Sequence, residues 1–416
     1  MESKLTYVSL AEITLKIGSG ATPKGGDESY KESGISLIRS LNIYDFVFRY
    51  KNLAFIDDNQ AAKLKNVAVV SDDILLNITG ASVGRCCIVP DDVLPARVNQ
   101  HVAIIRINKS VAVPQYIYYV INSGTYKNAL LNLSETGATR EALTKDDISH
   151  FKIPFPSLSE QQQIAEILSA YDDLIETNNQ RIATLEQLAQ QIYKEWFVRM
   201  RFPGWETTPF HYGIPDGWEE IQFSELVNIL SGGTPSTTVT NYWNGDILFF
   251  TPKDANPNCI YVSDSDKKTT EQGLENCNSS LYEPNTVFIT ARGSVGKVNL
   301  NVYPMAMNQS CFALRGKNEI PQTYLFFATK ASVETMKFIA NGATFDAITI
   351  DSFSRFKVLK PTSELIRKFD EIVTPFFNEI SCIMEMNTYL TKTRNLLLPR
   401  LISGKLTIKQ AEALAT

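Results

Sequence analysis

Residues 159 to 198, SEQQQIAEILSAYDDLIETNNQRIATLEQLAQQIYKEWFV, carry the pattern that most restricts the fold. Ile164, Leu168, Tyr171, Ile175, Asn178, Ile182, Leu185, Ala189, Ile192 and Trp196 follow one another at alternating steps of four and three. That spacing keeps one narrow stripe of a helix turned toward another helix. The stretch has no Pro or Gly, and Ser159 with Gln162 and Gln163 supplies an N-terminal cap. At 1.5 Å per residue the helix spans roughly 55 to 60 Å, more than one globular core needs. A helix of this length and pattern requires a partner.

The partner is in the same chain. Phe369, Val373, Phe376, Ile380, Ile383, Asn387, Leu390, Arg394, Leu397 and Leu401 repeat the steps, each 205 positions after its counterpart. Antiparallel pairing would set the fifth seam position of the first helix, Asn178, against the sixth of the second, Asn387. An amide pair at mid-seam fixes register at some cost in stability. Pro375 is expected to kink or break the second helix, and Pro399 to mark its end.

The remainder is also a repeat. Strand-like ISLIRSLNI, DILLNIT, CCIVP and HVAIIRI follow a short helix-like LAEITLKI and a Gly-rich turn in the first block, residues 1–158. The second block, 216–361, restates it: Ser82 and Gly84 recur as Ser294 and Gly296 at an offset of 212. Asn99-Gln100 recurs as Asn308-Gln309 at 209, Pro114-Gln115 as Pro321-Gln322 at 207, and Gly137-Ala-Thr139 as Gly342-Ala-Thr344 at 205. Two copies of a unit this large, each with its own core, make a tandem duplication. The chain reads as mixed α/β (α+β): globule 1–158, long helix 159–198, linker 199–215, globule 216–361, long helix 362–404 and tail 405–416. The expected arrangement of the two helices is an antiparallel coiled coil with an internal pseudo-twofold repeat.

Charge and cysteine use narrow the function class. The net charge of −5 resides in the first long helix, which holds seven acids and two bases, leaving the rest neutral overall. A neutral remainder can still present basic patches to phosphate. No run approaches the ~18 apolar residues of a membrane span, and the N-terminus has no charged-then-apolar leader, so a cytoplasmic location is expected. Six cysteines without C-x-x-C or nearby His indicate buried, reduced thiols and no metal.

Motif by motif, catalysis finds no support. Ala291 stands where a phosphate loop needs Gly, and Val298 follows Lys297 where Ser or Thr is required, so GSVGK reads as a glycine turn between strands. Gly18-Ser19-Gly20 and Gly232-Gly233 follow a helix-like segment and read as helix C-caps instead of a dinucleotide loop. His101, His150 and His211 have no matching His in the other repeat, and the paired carboxylates Asp57-Asp58, Asp72-Asp73 and Asp146-Asp147 occupy turns and helix starts. The aromatics Tyr116, Tyr118, Tyr119, Tyr324, Phe326 and Phe327 fall at helical spacing and are core candidates. Small hydroxyls and bases in the repeated turns, Thr79, Ser82 and Arg85 in one copy and Thr290, Ser294 and Lys297 in the other, are the groups that touch phosphates and base edges. Arg39, Arg140, Lys253 and Arg292, at loops and strand ends, complete the candidate DNA contacts.

The duplicated globule, the SEQQQIAEIL…LIETNNQRIATLEQLAQQIYKEWFV helix and the TRNLLLPRLISGKL ending together resemble the specificity subunit of type I restriction-modification systems over nearly the whole length. The resemblance implies two target recognition domains, each gripping one half of a split sequence in double-stranded DNA, with the helices as a ruler between them. It implies a non-catalytic chain that binds no cofactor. Adenine methylation with S-adenosylmethionine falls to two modification subunits, and ATP- and Mg-dependent translocation and cleavage to a restriction subunit. Two other readings stay open on the residues alone: a structural adaptor whose globules bind protein, and a methyltransferase or nuclease in its own right.

Overall fold

The structure is a computed structural model that describes residues 6–135, 142–341 and 347–415. By contacts the chain divides into two compact bodies, residues 1–176 with 388–416, and residues 177–387.

The first body is built on two four-stranded sheets. In one, Val102–Ile107 lies antiparallel between Thr14–Ser19 and Ile74–Asn77, and Cys86–Ile88 adds to the far side. In the other, Ile35–Ile38 and Ala96–Val98 run parallel at the centre. The second body repeats the scheme. Cys311–Gly316 lies between Val227–Ser231 and Val287–Thr290, followed by Val298–Asn301 and Tyr261–Val262, while Trp243–Phe250 runs parallel to Met305–Met307 in a three-stranded sheet. Strand residues buried on both faces, such as Ile74, Leu75 and Leu76, explain the unbroken apolar runs.

The two long helices are Leu158–Tyr193, closed by a π-turn over Lys194–Val198, and Ser363–Ile402. Each lends one half to each body. In the first body Ile164, Ala165 and Leu168 join Leu397, Leu398 and Leu401 in one core with Tyr116 and Tyr119. In the second, Ala189, Tyr193 and Phe197 join Phe369, Val373, Phe377 and Ile380 over Tyr324 and Phe326. The helices pair antiparallel: Asn178 donates to Asn387 Oδ1 at 2.7 Å, Asn387 donates to Asn179 Oδ1 at 3.0 Å, and Arg181 bridges Glu379.

Several sequence expectations are corrected. The first helix is capped by Ser157, whose hydroxyl and backbone N–H share Glu160, because Leu158 is already helical. The second helix runs unbroken through Pro375; Pro375 and Glu371, whose carbonyl loses its partner, both lie on the exposed face. It continues past Pro399 to Ile402 and stops at Gly404, whose φ of +68° suits a glycine terminator. The tail forms a helix, Ile408–Ala415, that sets Ala411 into the core of the first body. Among the cysteines, Cys86, Cys87 and Cys311 are buried, but Cys382 is exposed.

The glycine pairs are not helix caps. Gly18 and Ser19 belong to the strand Thr14–Ser19. A Cβ on Gly20 would lie 2.1 Å from the Val98 carbonyl oxygen, and one on Gly232 would lie 2.2 Å from that of Asn308. Glycine is required there because two backbone segments touch.

Candidate nucleic-acid interface

Each body carries a hollow at the same place in its fold, where the repeated glycine turn meets the repeated Asn-Gln segment. The local reason is a shared hydrogen-bond frame. Asn99 Oδ1 accepts from His101 N at 3.2 Å and Asn308 Oδ1 from Ser310 N at 3.1 Å. The Thr of each Thr-Pro element bonds the Gln of each Asn-Gln element, Thr22 to Gln100 and Thr234 to Gln309. Two repeated motifs far apart in sequence are thus one structural feature.

The turns themselves differ in length. Asn77 N donates to Arg85 O and Gly84 N to Asn77 O, while Thr290 N donates to Lys297 O and Gly296 N to Thr290 O. Thr290 therefore occupies the place of Asn77, and the second turn is one residue shorter. Ile78 and Ala291 each donate across to the Asn-Gln segment, to His101 O and Ser310 O, which puts Arg292 where the first body has Thr79. The glycines between, at φ +72° and +80° in one copy and +79° and +84° in the other, make these turns possible.

The first hollow, about 490 Å³, is lined by Ser40, Tyr44, Thr79, Ser82, Arg85 and His101, among others. Thr79 shares a 2.7 Å hydrogen bond with His101 Nδ1, and His101 Nε2 lies 3.1 Å from Gln100 Nε2. Ser82 Oγ accepts from Asn77 at 3.2 Å, and Arg85 lies 4.4 Å over the Tyr44 ring. The second hollow, about 440 Å³, is lined by Arg292, Gln309, Phe312, Thr349, Ile350 and Asp351, among others. Its carboxylate, Asp351, is held by Arg355 at 2.5 Å. One hollow offers a cation, hydroxyls and an imidazole; the other offers a cation, an amide and a fixed acceptor.

Of the ten residues singled out from sequence, Thr79, Ser82, Arg85 and Arg292 line the hollows. Arg140 lies outside the described residues, as do the repeated Gly-Ala-Thr elements. Arg39 is held inward by Asn52 O at 2.7 Å and Asp27 at 3.6 Å and packs over Tyr30. Lys253 is exposed and paired with Asp266 at 2.7 Å. Thr290 is spent within its turn, donating to Ser294 O at 2.5 Å and accepting from Lys297 N at 2.9 Å; Ser294 is exposed. The Lys297 ammonium donates to the carbonyls of Pro252 and Ala255 at 3.2 and 3.1 Å. Tyr44 escaped the sequence reading, while His101, set aside as an unmatched histidine, and Gln309, seen only as part of a repeat, were not assigned to the interface; the doubled Thr-Pro and Asn-Gln elements were the available signal for Gln309.

Behind the first hollow sits a buried ion pair. Arg394, from the second long helix, pairs with Asp172 of the first, and its guanidinium stacks 3.8 Å over Phe46 at the tip of the hairpin Ile43–Phe48. Tyr119 donates to the same carboxylate at 2.6 Å. Burial pushes the Asp172 carboxyl upward, opposed by the Arg394 charge and these hydrogen bonds. Glu186 is half-buried and accepts from Ile260 N at 2.6 Å, and burial pushes its carboxyl upward. The acids of the first helix are thus not one uniform solvent or partner face.

The description "Type I restriction modification DNA specificity domain" matches this chain twice, over residues 3–187 and 215–385. The chain belongs to that family. It is 24% identical to the Type I restriction enzyme MjaIX specificity subunit of Methanocaldococcus jannaschii, over 95% of this chain and 92% of that one. It is also 24% identical to the HindI specificity subunit of Haemophilus influenzae, over 82% and 87%. A crystal structure of the S subunit of a type I restriction-modification system from M. genitalium shares the fold, with a TM-score of 0.58, 16% identity and coverage of 96% and 97%.

Proposed function

We propose that this chain is the DNA specificity subunit of a type I restriction-modification complex, reading a split sequence in double-stranded DNA with one globule per half-site. The observation that carries the reading is the pair of hollows, built on one frame in both family-matched repeats and lined by different side chains. Equivalent position with unlike chemistry suits two modules reading unlike targets. In this reading residues 1–158 and 216–361 are the recognition domains, and helices 159–198 and 362–404 are the ruler. Two modification subunits supply S-adenosylmethionine-dependent adenine methylation, and a restriction subunit supplies ATP- and Mg-dependent translocation and cleavage. The chain itself is non-catalytic and works in the cytoplasm; no described helix is long and apolar enough to cross a membrane.

Two half-sites on a rigid spacer must keep a fixed separation, since rotating the duplex moves one groove away from its reader. Methylome sequencing of cells expressing the chain with its modification subunits would return a bipartite adenine-methylated motif. Inserting one heptad into each long helix would lengthen the unread spacer and leave both half-sites unchanged. A contiguous motif, or an unchanged spacer, would overturn the reading.

A further inference from the structure

Resting on the DNA reading above, we propose that Arg49 and Arg85, both stacked on Tyr44 at the first hollow, form a phosphate clamp that grips the backbone of the DNA at one half-site. The Arg49 guanidinium carbon lies 3.5 Å and that of Arg85 4.4 Å from the centroid of the single Tyr44 ring. Two full positive charges are thereby gathered on one aromatic side chain. Neither has a carboxylate within bridging distance among the described residues, whereas Arg39, Arg106, Arg355 and Arg394 each have one. Like charges held this close without a counter-ion oppose the fold until an anion arrives. A guanidinium lying on a ring keeps its in-plane N–H fork available, and that fork matches the geometry of phosphate oxygens.

The arrangement is fixed before any ligand binds. Asn42, fully buried, accepts from Arg49 N through its carbonyl at 2.7 Å and donates its amide to Arg49 O at 2.8 Å. Arg85 closes the glycine turn by donating from its N to Ser82 O at 3.2 Å, while Gly84 at φ +80° packs toward Leu131. The hairpin that carries Tyr44 is held from behind by Phe46 under Arg394 and by Asp45, which accepts from Cys86 N at 3.1 Å. Asp45 is the carboxylate next in sequence to Tyr44, and Lys127 neutralises it at 2.5 Å. It therefore leaves the two arginines uncompensated.

Phosphate is favoured over base as the occupant because the Tyr44 ring is already covered by guanidinium and has little face left to stack on a base. The clamp also belongs to one body. Lys297, at the place of Arg85 in the second turn, directs its ammonium to two backbone carbonyls.

The test uses the chain assembled with its modification subunits and duplexes that carry or lack its methylation motif, with affinity measured from low to moderate salt. Arg49→Ala and Arg85→Ala are each expected to reduce the log–log salt slope by about 1, weaken cognate and non-cognate duplexes by the same factor, and leave the methylated motif unchanged. Arg49→Lys, which keeps charge but loses the stacked fork, should retain most of the slope and recover only part of the affinity. Arg49 is exposed and shares one ring with a second uncompensated cation, so Arg49→Lys should melt with the parent protein and Arg49→Ala at or above it. An unchanged slope and affinity would overturn the clamp while leaving the DNA reading intact. Relaxed specificity at one base pair would make the arginines base readers and likewise overturn it. A parent complex that binds no duplex would overturn both.

Discussion

Removing either member of the Arg394–Asp172 pair should destabilise the first body, but with different dependence on pH. The Arg394 side chain is 6% exposed and that of Asp172 24%, so neither charge is well solvated. Stranding one buried partner costs about 3 kcal/mol, taken at the low end of the usual range because Asp172 retains some water. In Asp172→Asn the stranded group is a guanidinium, which stays charged, and the pH dependence comes from the parent's own raised carboxyl: the parent loses stability as pH rises while the Asn variant does not, so this penalty should be largest in acid and shrink toward neutrality. In Arg394→Ala the stranded group is a carboxyl already raised by burial, and losing the cation raises it further. A carboxyl whose folded value lies above its unfolded one favours folding most below the unfolded value, and that contribution is lost as pH rises through the folded value. The Arg394→Ala penalty should therefore be largest near neutrality and shrink toward acid. The 205-residue repeat places Ala189 and Phe377 at the positions equivalent to Arg394 and Asp172, and the 207 offset places Phe326 at that of Tyr119. Tyr119→Phe, Asp172→Phe and Arg394→Ala together should accordingly cost less than Arg394→Ala alone, because no charge or phenol is left stranded. Urea unfolding of the full chain between acid and neutral pH, read by exchange protection of residues 43–49, measures all three. Equal pH profiles for the two single variants, or losses under about 0.5 kcal/mol, would refute the reasoning.

Two further pairs of substitutions address the frame. Asn178→Leu leaves the half-buried Asn387 amide short of a partner and should cost about 1 kcal/mol, whereas Asn178→Leu with Asn387→Leu should be neutral or stabilising; additive urea midpoints would contradict a shared hydrogen bond. Gly20→Ala forces a methyl into the Val98 and Asn99 carbonyls and should cost about 3 kcal/mol, while Gly18→Ala, with nothing within 4 Å, should leave the melting temperature almost unmoved.

Local periodicity carried a large part of this architecture. The four-three spacing picked out both long helices, and the shared offsets picked out two related globules, because both signals are written in residues close together or simply repeated. Asn178 and Asn387 stand at the fifth and sixth seam positions, and their amides meet at 2.7 Å. The pairing of Thr79 with Thr290, natural from sequence, fails because the second turn is one residue shorter. The strand ladder agrees with the turn hydrogen bonds: Thr290 pairs with Cys311 as Asn77 pairs with Val102, so Thr290 replaces Asn77.

The same limit applies to the charges. Sequence marked Lys297 by its repeated turn and Arg39, Lys253 and Arg292 by their loop or strand-end positions as candidate DNA contacts, and in the fold Arg39 is turned to a carbonyl and an acid, Lys253 to an acid and Lys297 to carbonyls, while Arg292 is left exposed in its hollow. Tyr44 and Arg49 stand on the two arms of one hairpin and Arg85 on the glycine turn, and the three meet only when the hairpin closes on that turn. The sequence by itself determined the spacer, its partner helix and the duplication, since each follows from the regular geometry of a helix or from internal similarity. Tertiary structure decided which cations remain available, because a side chain's partners are set by backbone hydrogen bonds between residues tens to hundreds of positions apart.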